Sequence, residues 1–394
     1  MFSELNNPWK LMSDSAITTK DRDIMVNLVK NPKKRLTQGD AVKKFERAWS
    51  KWQGCKYSVF VNSGSSANLL LVNAIQSLNE NRPRKWAAQA CTWSTTVSPI
   101  IQSNDSNSLY PQLYLSDIDL KNFAPDLNQL ELIFQSEGIQ YLFLTHLLGF
   151  PAISEDLLNL CERYNVILLE DCCEAHGATF NGEKVGNFGE GSTFSFYYGH
   201  HMTTVEGGMV CTNNKDLYHE LLLLRSHGLL RELPEKERKV RQPEGVDPRF
   251  CFLRDGFNCR NTEMHALVGL SQLKSLDSYI ETRNNNFEVF IDELDSGRYE
   301  TEFLKTGVSN FAFPIFVKEP EVLPFVTKAL DKHNIESRPC IAGNIYRHPL
   351  AKLLPKHYVD VNAEKVHNQC IYVGNHQHVT GDDVEKLCEI LNEL

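Results

Sequence analysis

The chain has 394 residues, of which 42% are hydrophobic and 23% charged, and a formal net charge of -9 at pH 7. That length suits a large domain and a smaller one, while the acidic balance and the lack of a basic run argue against nucleic-acid binding. No apolar run approaches a membrane span, and 11 cysteines behind a start with no secretory pattern read as reduced thiols of a cytoplasmic protein.

In chain order, Tyr57–Val61 reads as a strand, and residues 62–66 turn from it into a helix beginning near Ala67. Leu69, Leu70, Val72, Ile75 and Leu78 supply that helix with its apolar positions. Strand-like runs recur at Tyr141–Thr145, 166–170 and 209–212, with helical patterns at Glu155–Arg163 and 217–225. This alternation predicts an α/β domain on a mainly parallel sheet. The charged stretch 232–249, which holds Pro234, Pro243 and Pro248, predicts an exposed excursion. A long helix is expected from Thr262 through Ser275 and on to Phe287, then a strand over 311–317 and a helix over 321–334. A boundary near residue 276 gives a large domain over 1–275, including an N-terminal helical segment, and a small α+β domain over 276–394.

Ser63, Gly64, Ser65 and Ser66 lie between the first strand and its helix. Free backbone N–H groups at a helix start, hydroxyls and a glycine form an anion site, although the same residues serve as ordinary turn and N-cap residues. Ser195 can add a hydroxyl to the same anion. Asp171 falls near the C-terminal end of an apolar strand, the edge at which open α/β sheets bind ligands. A carboxylate there can keep a pyridine nitrogen protonated, and it also suits a helix cap or a surface acid. Cys172 and Cys173 have no second pair at zinc spacing, so they read as packing residues and no metal is expected. Trp93 offers a π face for stacking, and a lone tryptophan suits a core equally well.

In order along the chain, residues 63–67, 170–178, 194–196, 206–208 and 255–263 resemble the motif series of the DegT/DnrJ/EryC1/StrS family of nucleotide-sugar aminotransferases. The resemblance runs from about Lys30 onward. It implies the pyridoxal phosphate (PLP)-dependent transferase fold of the aspartate aminotransferase type, fold type I. It also implies a homodimer with active sites at the subunit interface, and PLP or pyridoxamine phosphate (PMP) as cofactor. The same resemblance assigns Gly64, Ser65, Ser66 and Ser195 to the cofactor phosphate, Trp93 to its ring and Asp171 to its pyridine nitrogen. Glu174, where many members have glutamine, would lie near the ring hydroxyl, and Asn258 would reach the phosphate of the partner subunit.

The family's cofactor lysine is replaced here by His200, and no lysine occurs between Lys184 and Lys215. An imidazole moves protons but forms no Schiff base with PLP, so the cofactor is expected to bind non-covalently. The pair His200 and His201, with residues 93–96, 337–339 and 373–377, is similar to the branch of the family that removes the hydroxyl at carbon 3 of a GDP-linked 4-keto-6-deoxy sugar. That branch implies condensation of PMP with the keto group, His200 as the catalytic base, loss of the hydroxyl as water, and regeneration of PMP by glutamate. The pathway implied is deoxysugar biosynthesis for lipopolysaccharide O-antigen. A second dehydratase type carries an iron–sulfur cluster. Arg249 stands where a further cysteine would accompany Cys251 and Cys259, so no cluster is expected.

Arg338 and Asn344 are candidate contacts to the nucleotide diphosphate or sugar, and the arginine equally suits a structural salt bridge. His201 either supports its neighbour or contacts the phosphate or backbone. Two further readings stay open: other PMP chemistry on a different nucleotide sugar, and a cofactor-binding regulator without catalysis.

Overall fold

The computed structural model describes residues 9–103 and 111–394. The start of the chain, on which the leader expectation rests, lies outside the described residues. Helices α1 (Thr19–Lys30) and α2 (Asp40–Gln53) precede β1 (Tyr57–Val61), α3 (Gly64–Leu78), β2 (Trp86–Gln89), α4 (Ser94–Gln102) and β3 (Leu113–Ser116). Next come α5 (Leu127–Glu137), β4 (Tyr141–Thr145), α6 (Glu155–Arg163) and β5 (Ile167–Asp171). A hairpin of β6 (Thr179–Phe180) and β7 (Glu183–Lys184) leads to β8 (Gly191–Ser195), β9 (Gly208–Thr212), α7 (Lys215–Arg225) and α8 (Glu235–Arg241). Helices α9 (Glu263–Gln272) and α10 (Leu276–Glu293) follow. The chain finishes with β10 (Ala312–Phe316), α11 (Leu323–Lys332), β11 (Ser337–Pro339), α12 (Val361–Gln369), β12 (Cys370–Gly374) and α13 (Gly381–Asn392).

Seven strands form the main sheet in the order β1-β9-β8-β5-β4-β2-β3, and β9 alone runs against the rest. Period-two alternation divides its side chains between two apolar layers. Val59, Phe143, Leu169 and Val210 enter one core, while Phe60, Leu142, Leu168 and Met209 enter the other. A strand buried on both faces must be apolar throughout, which is why 141–145 is legible as a strand from composition alone. At the β1 edge, the Phe60 N–H donates to Glu46 at 3.0 Å and Arg225 donates to the Phe60 carbonyl at 3.1 Å. The free edge is thereby occupied by a buried ion pair. A three-stranded antiparallel sheet, β10-β12-β11, packs beyond α10.

The long helix expected over 262–287 is two helices. Gln272 is buried and donates to the Ala16 carbonyl and to Asp21, so this end of α9 is tied to the α1 region while the chain turns at residues 273–275. The first βα helix begins at Gly64 rather than Ala67, because Ser63 caps it by accepting from the Ser66 N–H at 3.0 Å. The excursion 232–249 includes α8, a helix with no buried residue, stitched by Lys239–Glu235 and Arg241–Glu237 pairs at i,i+4 spacing.

Candidate active site

Strand ends build the site. β1, β5 and β8 run parallel within the sheet, and their C-terminal ends carry Ser63–Gly64–Ser65, Asp171–Glu174 and Ser195–His200 in turn. Gly64, Ser65, Trp93, Asp171, Glu174, Ser195, His200 and Arg338 all line one cleft of about 290 Å³. A larger groove of about 1340 Å³ runs past α2 and the 231–238 segment, lined by mixed lysines, arginines and acids. Some of its charges are paired, as in Arg225 with Glu46, and it gathers none of the residues above.

The N-terminus of α3 opens on the cleft. A Cβ on Gly64 would stand 2.6 Å from the Ser195 Cβ, so only glycine lets the helix start approach the serine of β8. Ser63 and Ser65 line this cradle, whereas Ser66 turns back, its hydroxyl accepting from Ser63 at 3.0 Å. Ser63 therefore lines the cleft while its hydroxyl is engaged with Ser66, and Ser66 itself is not among the lining residues.

Asp171 is 3% exposed. Asn68 Nδ2 and the Thr96 hydroxyl donate to its Oδ2 at 2.8 and 2.7 Å, and the Cys173 N–H donates to Oδ1 at 3.1 Å. Neither Asn68, just after the 63–67 motif, nor Thr96, inside 93–96, is marked in the sequence as a partner of Asp171. Their spacing of 28 residues hides a convergence that only the packing of α3 on α4 creates. Trp93 precedes α4 and is 49% exposed, so its indole is a free face on the cleft and not a core side chain.

Glu174 accepts from the Leu148 N–H at 2.8 Å. Burial raises its carboxyl to about 8, against that hydrogen bond and with some help from the charge of Asp171. Two neighbouring carboxyls therefore differ in role: Asp171 is an acceptor ringed by donors, and Glu174 holds a proton at neutral pH. His200 closes the turn from Tyr197, its N–H donating to the Tyr197 carbonyl at 3.1 Å. Its ring faces Phe311 at 5.4 Å between centroids. Burial, and then the charge of Arg283, push its conjugate acid down to about 3, so the imidazole is neutral in the physiological range. Among the described residues, no lysine lines the cleft.

Besides Ser66, three expected residues lie outside the cleft lining. His201 is 1% exposed and directs Nε2 to the Ser309 carbonyl at 3.0 Å, which makes it a packing residue rather than a substrate contact. Asn344 is fully buried, its amide donating to Asp360 and Glu364 while its oxygen accepts from the Tyr346 N–H at 3.0 Å. Those bonds consume the side chain, so the expected sugar contact gives way to a structural role. Asn258 is exposed outside the cleft, accepting from Arg260 Nε at 3.1 Å. Conversely, Leu11, Met12, Ile341 and Tyr372 enter the cleft wall without any local signature that could have announced them.

A model of the DegT/DnrJ/EryC1/StrS aminotransferase family matches residues 18–392. The GDP-4-keto-6-deoxy-D-mannose 3-dehydratase of Escherichia coli O55:H7 is 33% identical over 370 residues, which span 91% of this chain and 93% of that protein. Among solved structures, a variant of GDP-4-keto-6-deoxymannose-3-dehydratase with bound GDP-perosamine matches with a TM-score of 0.87 at 31% identity. The match covers 97% of this chain and 100% of that one. The same enzyme with a trapped PLP-glutamate geminal diamine matches with a TM-score of 0.87 at 31% identity, again over 97% and 100%. With the strand-end cleft, its glycine cradle and its buried aspartate, these matches establish that the chain belongs to the DegT/DnrJ/EryC1/StrS aminotransferase family, on the fold of PLP-dependent transferases.

Proposed function

We propose that the protein is a PMP-dependent 3-dehydratase that removes the carbon 3 hydroxyl from GDP-4-keto-6-deoxymannose. The observation that carries this reading is His200, a neutral imidazole in a cleft that, among the described residues, no lysine lines. The relatives named above, with the ligands in their structures, support the same substrate, cofactor and amino donor for this chain.

The residues fit the cofactor. The α3 N-terminus with Ser63, Ser65 and Ser195 would hold its phosphate, which explains why a Cβ is excluded at Gly64. Trp93 would cover the ring, and Asp171 would keep the pyridine nitrogen protonated. What PMP supplies when bound is an amine for the keto group and a ring that stabilises negative charge. Glu174, holding its proton, would donate to the ring hydroxyl. His200 would accept a proton from the carbon bearing the amine and hand it to the departing hydroxyl, which leaves as water. With no lysine to bind the cofactor or to protonate sugar carbon 4, the route to an amino sugar is disfavoured. L-Glutamate would then restore the amine.

Two structural expectations belong to this reading. Asn258, exposed outside its own cleft, would reach the cofactor phosphate of the other copy in a homodimer. The chain would divide near residue 276, a division supported by α10 beginning at Leu276 and by the second sheet lying wholly beyond it.

Mass spectrometry of the product formed from purified protein, PLP, L-glutamate and GDP-4-keto-6-deoxymannose tests the proposal. Loss of the carbon 3 oxygen with release of ammonia and 2-oxoglutarate is expected. A 4-amino sugar, or no turnover of the sugar, would overturn it.

A further inference from the structure

Arg283, on α10, is 2% exposed and unlike Arg225, the other buried arginine among the described residues. Arg225 meets Glu46, but among the described residues no carboxylate pairs with Arg283, and its Nε has no partner. Burial alone lowers its guanidinium, to about 9, with no opposing anion. Removing a cation from water without a counter-ion is costly, so its remaining contacts must account for its position. They are three carbonyls from three separate segments. Nη1 donates to the Phe311 carbonyl at 2.9 Å and also to the Asn375 carbonyl, and Nη2 donates to the carbonyl of His200 at 3.4 Å. Asn375 answers with its own amide, donating to the Arg283 carbonyl at 2.7 Å and to Asn310 at 2.8 Å.

From this geometry we infer that Arg283 is a positioning residue: its planar fork fixes the backbone of His200 to the entry of β10 and the exit of β12, setting the imidazole against the cleft. The inference rests on the reading of His200 as the proton carrier. Arginine suits the task because its donors are rigid, charged and divergent, whereas a lysine ammonium is one flexible point charge. Phe311 receives the guanidinium at its carbonyl and presents its ring to His200, so the same clamp holds both the chain and one wall of the imidazole. The groups around the His200 ring are His176 after β5, His201 and Tyr197 on its own turn, and Phe311 before β10. Asp171, Cys173, Glu174, Arg338 and Tyr372 line the same cleft. After burial, the charge of Arg283 is what lowers the conjugate acid of the ring.

The test compares Arg283→Met and Arg283→Lys with the parent protein, using thermal unfolding, PLP affinity and kinetics per cofactor-binding site. Two reactions are followed: glutamate-driven conversion of PLP to PMP, and dehydration of GDP-4-keto-6-deoxymannose. Misplacing a proton carrier should lower kcat on the order of 10²-fold in Arg283→Met, with KM for glutamate little changed. Arg283→Lys, which keeps the charge but loses the fork, should lie between, about 10-fold down. In cofactor-free protein, the NMR signal of the His200 ring should titrate closer to ordinary histidine in Arg283→Met than in the parent.

A folded Arg283→Met protein with kcat within about threefold of the parent, with a loss confined to KM, or with an unaltered His200 signal, overturns the inference. If Arg283→Met does not fold, Arg283→Lys decides: full kcat overturns the inference, and a tenfold loss at unchanged PLP affinity supports it. If the parent converts PLP with glutamate but leaves the sugar intact, the substrate proposal fails while the Arg283 comparison is still read on the glutamate reaction.

Discussion

At the scale of single residues, the site depends on two groups whose protonation is set by where they sit. Burial keeps the His200 ring neutral, and replacing it would remove the group proposed to carry the proton. His200→Asn should keep PLP binding while lowering dehydration by roughly 10²–10⁴-fold, the usual contribution of a positioned acid–base group, as measured by product formation. Glu174 works in the opposite sense. Its folded value, about 8, lies above the ordinary carboxyl value, so the folded protein carries the extra proton between the two. Stability from this group must therefore fall as pH rises through roughly 4.5 to 8, with a slope of at most about 1.4 kcal/mol per unit. Glu174→Gln keeps the donor and removes the ionisation. Denaturant unfolding at pH 5 and pH 8.5 should show the variant gaining on the parent at the higher pH, and equal pH dependence would count against a protonated Glu174.

Elements matter where two of them touch through a missing side chain. The start of α3 and the end of β8 meet at Gly64 and Ser195, and Gly208 of β9 passes the Ser63 carbonyl so closely that a Cβ would stand 2.2 Å from it. These contacts draw the cap of one helix and the hydroxyl of one strand into a single cradle. Gly64→Ala forces Ser195 or the helix to move, at a cost of about 1–3 kcal/mol of stability by overpacking. It should also weaken PLP binding, since the displaced groups are those that would hold the phosphate. Spectroscopic titration with PLP, alongside thermal unfolding, separates the two effects: a variant that is destabilised yet binds PLP normally would mean the phosphate sits elsewhere.

Across the whole molecule, the segment around Trp9–Asp14 is tied to the second sheet and closes one side of the site. The Trp9 indole donates to the Gly374 carbonyl at 2.8 Å, its ring meets Phe313 edge-on at 6.3 Å, and Leu11 N–H donates to Glu336 at 3.1 Å. From this anchor the segment carries Leu11 and Met12 into the cleft wall, and the Tyr198 hydroxyl donates to the Asp14 carbonyl at 3.2 Å beside the His200 turn. Residues 9–14 thus join the second sheet to the turn that carries His200. Trp9→Ala should cost roughly 3–5 kcal/mol, as buried tryptophans generally do. It should also raise KM for the sugar, measured by steady-state kinetics on folded protein; destabilisation with KM unmoved would make the strap a purely structural tie.

What the sequence by itself determined is the part written in local pattern. Strands such as Tyr141–Thr145, apolar on both faces, matched the structure residue for residue, as did Glu155–Arg163, whose serine cap and apolar spacing lie side by side in the chain. The placement of Asp171 at a strand end, and the histidine where the family has lysine, needed only order along the chain. Tertiary structure alone decided which side chains share a space. Asn68 and Thr96 on Asp171, Met12 against the turn of His200, and Arg283 behind it come from segments far apart in the chain. Nothing in local composition encodes their meeting, because helix and strand patterns specify a face and a period, while a pocket is specified by how the faces pack. The same packing drew Asn344 and His201 away from the cleft: the buried amide of Asn344 found Asp360, Glu364 and the Tyr346 N–H, and His201 turned Nε2 to Ser309.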